Sequence, residues 1–322
     1  METVNKNETK KPDSRIFRVF ISGYVITLLI LMILTSFVFD IIALVLFLPI
    51  VLYSRSFRLF IFGVPFKFFM SLVFSLLNPF WKIKIIKKLK KNYNPSNTIL
   101  FSNHLSSLDP WTINAFWFKY NMKFICKGSL FKLPICGQIL TLAQEIPIHF
   151  GKGKGGWEVK KESKENAMKL AKEYTNMNIP IAVFPEGTRS RTGKLQMFKM
   201  GFFKFALENN MEILPCALHG SNKLWTLNSL LLNKGTVYVS YGEPFRPTPG
   251  MTVEELANKT RNIIFDLIKE FPDYDPNVDQ LATEFSQTRE QVIHILRGYP
   301  QFHYNYTIKN FKQFNIFYKK TI

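Results

Sequence analysis

Apolar and polar positions follow two different rhythms along this chain. From residue 19 to residue 53 the sequence is almost unbroken Ile, Leu, Val and Phe, interrupted mainly by Asp40 and by Pro49 near its end. At about twenty residues per membrane crossing, that run predicts one full helix and most of a second. Arg15 and Arg18 precede it and Arg55 and Arg58 follow it. Basic flanks on both sides favour a hairpin that returns to its starting side over a single crossing. The run exceeds the core of a signal peptide, and no small-residue cleavage site follows it. A second apolar stretch, 59–81, is rich in Phe but contains Pro65, Lys67 and Pro79. That mixture suits a helix lying in the membrane interface or a re-entrant segment.

Beyond residue 92 the rhythm changes to short β-like runs alternating with helical stretches. The pattern predicts strands at 98–101, 122–126, 145–149, 179–184, 213–218 and 236–241, with helices at 110–120, 137–143, 158–176, 198–209 and 253–271. Alternation of this kind predicts an α/β domain, a mixed, largely parallel sheet flanked by helices, preceded by the N-terminal membrane-embedded helical hairpin. In such sheets ligands bind beyond the carboxyl ends of the strands. The expected organisation is a basic, disordered tail (1–18), membrane-anchoring helices with a basic interfacial segment (19–91), the α/β domain (92–271) and a C-terminal extension (272–322). A short helical stretch at 277–297 is expected in that extension, without a chemical role.

Charge narrows the partners. Forty-two Lys plus Arg against 23 acidic residues give a formal net charge of +19, which calls for a polyanion. Thirty-two phenylalanines and the long apolar run favour anionic membrane lipid over nucleic acid. Residues 82–91 interleave six lysines with Ile and Leu. They are read as a contact with anionic headgroups, the alternative being a solvated charged strand or helix face. Cys126, Cys136 and Cys216 are widely spaced in apolar surroundings and form neither a disulfide framework nor a metal site. No pair of histidines has convincing metal-ligand spacing either, so no metal is expected.

Two constellations carry chemistry. In Ser102-Asn103-His104-Leu105-Ser106-Ser107-Leu108-Asp109-Pro110, an imidazole and a carboxylate lie five residues apart at a strand-to-helix corner. Asp109 there would fix the tautomer of His104, leaving the second ring nitrogen to take a proton from a hydroxyl. The plainer alternative is that Asp109 only caps the helix opened by Pro110. In Phe184-Pro185-Glu186-Gly187-Thr188-Arg189-Ser190-Arg191, a strand ends in proline, glycine permits close backbone approach, and two guanidiniums are placed to grip an anion such as phosphate. A surface turn with an internal Glu-Arg pair would read the same way. A third stretch, 151–156, matches G-x-G-x-x-G. It is discounted as a dinucleotide site because the helix expected after it, opening Trp157-Glu158-Val159-Lys160, lacks the small apolar residues needed to pack on a sheet. A flexible basic lid is expected there.

Asn103-His104 to Asp109 resembles the NHxxxxD motif, and Phe184 to Ser190 the FPEGTRS motif, of glycerolipid acyltransferases, in particular the 1-acyl-sn-glycerol-3-phosphate (lysophosphatidate) acyltransferases. Lys127 to Pro134 with Gly137, Leu214-Pro215-Cys216 and Tyr241-Gly242-Glu243-Pro244 resemble further segments of that family. The likeness runs from about Thr98 to Phe245 and implies transfer of a fatty acyl group from a thioester, on CoA or an acyl carrier protein, to the hydroxyl of lysophosphatidate. It implies no cofactor, acyl-CoA being a co-substrate. His104 would be the base, oriented by Asp109; Glu186, Gly187, Thr188 and Arg189 would hold the acceptor, and Lys127 would add positive charge. An integral membrane protein follows, with the endoplasmic reticulum as the expected site and the catalytic domain on the cytosolic side. Glycerol 3-phosphate or another lysophospholipid as acceptor, and a catalytically silent lysolipid binder, are the alternatives. One departure bears on the acceptor. Where the family carries Gly-x-Ile-x-Ile-x-Arg, this chain has Gln144-Glu145-Ile146-Pro147-Ile148-His149-Phe150, leaving Lys152, Lys154 or His149 to replace the arginine's charge.

Overall fold

The computed structural model describes residues 14–153, 156–227, 229–272 and 274. The first helix, α1 (Arg15–Tyr53), opens inside the stretch expected to be a disordered tail, because Ser14 Oγ accepts from the amide of Phe17 at 3.3 Å and caps it. Its only break is at Phe47 (φ −117°, ψ 18°), two residues before Pro49, where the proline removes a backbone donor. The chain turns at Ser54, which is extended and caps α2 (Arg55–Ser75) through a 3.2 Å bond from the amide of Phe57. The hairpin is therefore one long kinked helix followed by a second drawn from the 59–81 stretch, rather than two arms within 19–53. Between 19 and 46 the hydroxyls of Ser22 and Thr35 are spent on carbonyls of the preceding turn, those of Arg18 and Leu31, whereas Ser54 caps the next helix. Phe47 meets Phe57 at 5.6 Å and Phe39 meets Phe69 at 6.0 Å between ring centroids, so the two helices run antiparallel. Both are long and apolar enough to cross a membrane, and Ile30, Leu31, Val38, Ile42 and Val45 are exposed along α1.

Lys67, which argued from sequence for an interfacial helix, is buried by a polar cluster instead. Its Nζ pairs with Glu145 Oε1 and donates to Asn121 Oδ1 at 3.0 Å, while Asn121 Nδ2 donates to the carbonyl of Leu59 at 2.7 Å. Gly63 makes the approach possible, since a Cβ there would stand 2.2 Å from Asn121 Oδ1. Lys123, also buried, donates to Asn121 Oδ1 and to the carbonyl of Ala143. Burial, and after it the charge of Lys67, pushes the Lys123 ammonium well below its ordinary pKa.

After α2 come β1 (Trp81–Lys87), β2 (Thr98–Ser102), α3 (Asp109–Trp117), β3 (Lys123–Lys127), α4 (Cys136–Leu142), β4 (Ile146–Ile148), β5 (Phe150–Gly153), β6 (Gly156–Val159), α5 (Lys161–Asn176), β7 (Ile181–Val183), α6 (Gly201–Glu208), β8 (Glu212–His219), α7 (Ser221–Leu224), β9 (Gly235–Tyr241) and α8 (Val253–Lys269). Seven strands form one sheet in the order β1-β9-β8-β2-β7-β3-β4, parallel throughout except for the β8/β9 pair. The mixed, largely parallel sheet and the N-terminal hairpin are as the sequence predicts. Successive residues of β2, β7 and β8 face opposite ways. Ile99, Phe101, Ile181, Val183, Ile213 and Ala217 enter one core with α5, α6 and α8, while Leu100, Ala182, Leu214, Cys216 and Leu218 enter another with Ile113 and Trp117 of α3. Burial on both faces explains why these strands read as continuous apolar runs.

Two further stretches take definite form. The charged run after Trp81 is the edge strand β1, with Lys82 and Lys84 exposed and Trp81 buried, so its alternation is that of a strand with one wet face. In the 151–156 stretch, where a flexible basic lid is expected, β5 and β6 pair as an antiparallel hairpin, and α5 begins at Lys161 rather than 158. Four glycines there lower strand propensity, but Phe150↔Val159 and Lys152↔Trp157 pairing supplies the register that periodicity did not show. Lys154 lies outside the described residues, as does the helical stretch expected at 277–297.

Candidate active site

Three neighbouring parallel strands, β8, β2 and β7, deliver the polar groups of the site at their carboxyl ends. At the end of β2, Asn103 clasps the adjacent strand: its Nδ2 donates to the carbonyl of Leu218 at 2.9 Å and its Oδ1 accepts from the amide of Leu218 at 2.7 Å. This fixes the exit angle of the chain into His104. The His104 ring lies over Phe184 at 4.2 Å, nearly parallel to it, and Nδ1 sits 2.8 Å from Asp109 Oδ2. Asp109 is fully buried while His104 keeps 18% of its side chain exposed, so the ring opens outward from a sealed carboxylate. With Nδ1 donating to Asp109, Nε2 is the basic nitrogen.

Asp109 does not cap α3. Leu108 stands at the cap position without a side-chain bond, and Asp109 Oδ2 turns back to accept from the amides of Leu105 and Ser106 at 2.6 and 2.7 Å. Its other oxygen accepts from Ser221 Oγ at 2.5 Å. The His104–Asp109 pairing expected from sequence is present, and the capping alternative is not.

The second constellation meets the first directly. Glu186, buried just past β7, accepts the amide of His104 on Oε1 at 2.7 Å and the amide of Gln196 on Oε2 at 3.1 Å. In return the amide of Ser190 donates to the carbonyl of His104 at 2.7 Å. Burial pushes the Glu186 carboxyl up to about 8, against the two backbone donors that favour its anion. Gly187 has φ +71°, a conformation that favours glycine, and Lys199 lies across it: a Cβ at 187 would come 2.9 Å from Lys199 Cε. Arg189, exposed, donates from Nη1 to Ser107 Oγ at 2.7 Å, bridging the 186–190 turn to the 104–109 loop. Thr188 is exposed beside it, its carbonyl 3.5 Å from Gln196 Nε2. Lys127, exposed, ends β3 one strand beyond β7, on the same edge of the sheet. The next residue, Gly128, packs so close to His149 that a Cβ would stand 2.2 Å from its Nδ1.

Sequence reasoning missed Ser221, Gln196 and Arg261. Ser221 carried one signal, a His219-Gly220-Ser221 step directly after a predicted strand. Arg261 of α8 carried none, yet its Nε and Nη2 each donate at 3.2 Å, to the carbonyls of Gln196 and Leu195, and so hold the loop that supports Glu186.

This arrangement can be set against known proteins. The Acyltransferase family model matches residues 84–219, the segment that contains both constellations. Residues 84–219 form an acyltransferase domain. The chain is 30% identical over 189 residues to the 1-acyl-sn-glycerol-3-phosphate acyltransferase LPAT1, chloroplastic, of Arabidopsis thaliana, covering 58% of this chain and 49% of that protein. It is 29% identical over 190 residues to the 1-acyl-sn-glycerol-3-phosphate acyltransferase of Borreliella burgdorferi, covering 58% and 71%. The chain spans about half the length of the first curated plant relatives it matches. In fold it is similar to the crystal structure of the 1-acyl-sn-glycerophosphate acyltransferase PlsC from Thermotoga maritima, with a TM-score of 0.56 and 21% identity over 81% of this chain and 98% of that one. The acyltransferase domain thus includes His104, Asp109, Lys127, Glu186, Gly187, Thr188 and Arg189, and stops two residues short of Ser221.

Proposed function

We propose that this chain transfers a fatty acyl group from acyl-CoA to the free hydroxyl of lysophosphatidate, releasing CoA and phosphatidate. His104 Nε2 takes the proton of the acceptor hydroxyl as its oxygen attacks the thioester carbonyl carbon. The carbon–sulfur bond then breaks, and the proton passes to the departing thiolate. Asp109 stabilises the imidazolium that forms between these steps. Arg189 binds the acceptor phosphate, with Glu186, Gly187 and Thr188 shaping its seat and Lys127 adding positive charge along the same edge. The observation that carries this reading is the Arg189–Ser107 bond, which places an anion-binding guanidinium on the loop that holds the base. An acyl carrier protein thioester is the other donor of suitable chemistry.

The hairpin of α1 and α2 anchors the enzyme as an integral membrane protein, and the lysines of β1 face anionic headgroups. The endoplasmic reticulum, with the domain on its cytosolic side, is the proposed location; two plant relatives carry chloroplastic names. A second reading, another lysophospholipid or glycerol 3-phosphate as acceptor, is favoured by the absence of an arginine in 144–150.

The test is radiolabelled acyl-CoA supplied to the full-length protein with lysophosphatidate, glycerol 3-phosphate and several lysophospholipids in competition. Phosphatidate is the expected main product, and His104→Ala abolishes it while insertion and folding persist. Undiminished turnover by His104→Ala refutes the assigned base. No acylated product from any acceptor would point instead to a silent lysolipid binder.

A further inference from the structure

The orientation of a carboxylate is poorly set by its own rotamer, because the terminal torsion of aspartate is broad and nearly two-fold. Hydrogen bonds must set it instead. For Asp109, Oδ2 gathers the imidazole of His104 and the amides of Leu105 and Ser106, all from its own loop. Oδ1 faces inward and takes its bond from Ser221 Oγ, 112 residues further along the chain. Ser221 is fully buried, as Asp109 is. The chain is able to leave β8 and turn this hydroxyl inward because residue 220 is glycine at φ +89°, where a Cβ would lie 2.5 Å from the carbonyl of Thr236 on β9. The same segment holds the loop once more, through Ser106 Oγ donating to the carbonyl of Trp225 at 3.3 Å.

We propose that Ser221 is a positioning residue for acyl transfer. Its hydroxyl fixes the rotation of the Asp109 carboxylate, so that Oδ2 stays in line with Nδ1 and the imidazole presents Nε2 outward in one orientation. Ser221 thereby makes the base a three-member chain, Ser221 to Asp109 to His104, assembled from the ends of two adjacent strands. This inference rests on His104 being the base proposed above. Ser221 touches neither substrate, so its loss acts on the chemical step and not on binding.

The experiment compares full-length wild type, Ser221→Ala, Ser221→Cys and His104→Ala with acyl-CoA and lysophosphatidate, alongside thermal unfolding of each. Ser221→Ala is expected to lower kcat about tenfold, with both KM values unchanged, since small misplacements of a catalytic group are costly. Ser221→Cys, similar in size but a weaker donor, is expected to fall between wild type and Ser221→Ala. Wild-type kcat in Ser221→Ala overturns the proposal, as does a Cys variant that is no faster than the Ala variant, because either result reduces the hydroxyl to a space filler. Should Ser221→Ala fail to fold, Ser221→Cys decides alone: a lowered kcat at unchanged KM supports the proposal and a full rate overturns it. Turnover by His104→Ala would instead remove the underlying reading, whatever Ser221 does.

Discussion

At the end of β2 the Asp109 carboxylate accepts four hydrogen bonds and is sealed from solvent, whereas at the end of β7 residues 187–189 are exposed and Arg189 rests on its bond to Ser107. Under the proposed mechanism the two regions serve different tasks. A group that moves a proton gains from being held in one geometry, and burial keeps its partners in place. A group that meets a headgroup arriving from outside must stay wet and able to adjust, at the cost of weaker pre-organisation. Glu186 ties the two together, buried like Asp109 but belonging to the exposed turn.

The sharpest way to break this contrast is Asp109→Asn. The amide can keep the bonds from Leu105 and Ser106 but removes the charge that supports an imidazolium, so kcat is expected to fall about a thousandfold, with little change in KM for the acceptor. Steady-state kinetics on the purified variant check this, and a loss confined to KM would erase the division of labour. Next in size, Arg189→Ala is expected to raise KM for lysophosphatidate about tenfold and leave KM for acyl-CoA in place. A fall in kcat alone would mean that the turn supports the base and does not bind the acceptor.

The smallest effect is on stability. Glu186 titrates at about 8 in the fold against 4.5 ordinarily, so between those values the native state binds the extra proton. Stability from this group is fully present below about 4.5 and is lost as pH rises through 8. Melting temperatures measured from pH 5 to pH 8.5 are expected to fall on the order of a few degrees in the wild type and to stay flatter in Glu186→Gln. Parallel profiles would show that Glu186 is ionised throughout.

Much of the site was legible because its groups are close in sequence. His104 and Asp109 are five residues apart and Glu186 to Arg189 are consecutive, so each constellation is a local pattern, and the alternation of strands and helices was enough to predict that both sit at one edge of a sheet. What escaped reading is what the fold brings from afar. Ser221 meets Asp109 only because β8 lies beside β2, and Arg261 reaches the 195–196 loop from α8. The hairpin boundaries failed for another reason. A uniform apolar run carries no mark of where a helix ends, and the deciding residue, Ser54, is an ordinary cap hidden between two long segments. Lys67 misled because a charge in an apolar stretch reads as a wet position, while its partner, Glu145, lies 78 residues away.

That buried pair also sets a practical limit on dissecting the molecule. Cutting the chain ahead of β1 to obtain a water-soluble catalytic portion would take Lys67 away and leave Glu145 and Lys123 facing a newly opened slot where α2 had been. In such a fragment Glu145 would still hold the amide of Phe124 at 2.7 Å and have Lys123 at 4.0 Å, but it would lose its nearest cation and the cover over both buried charges.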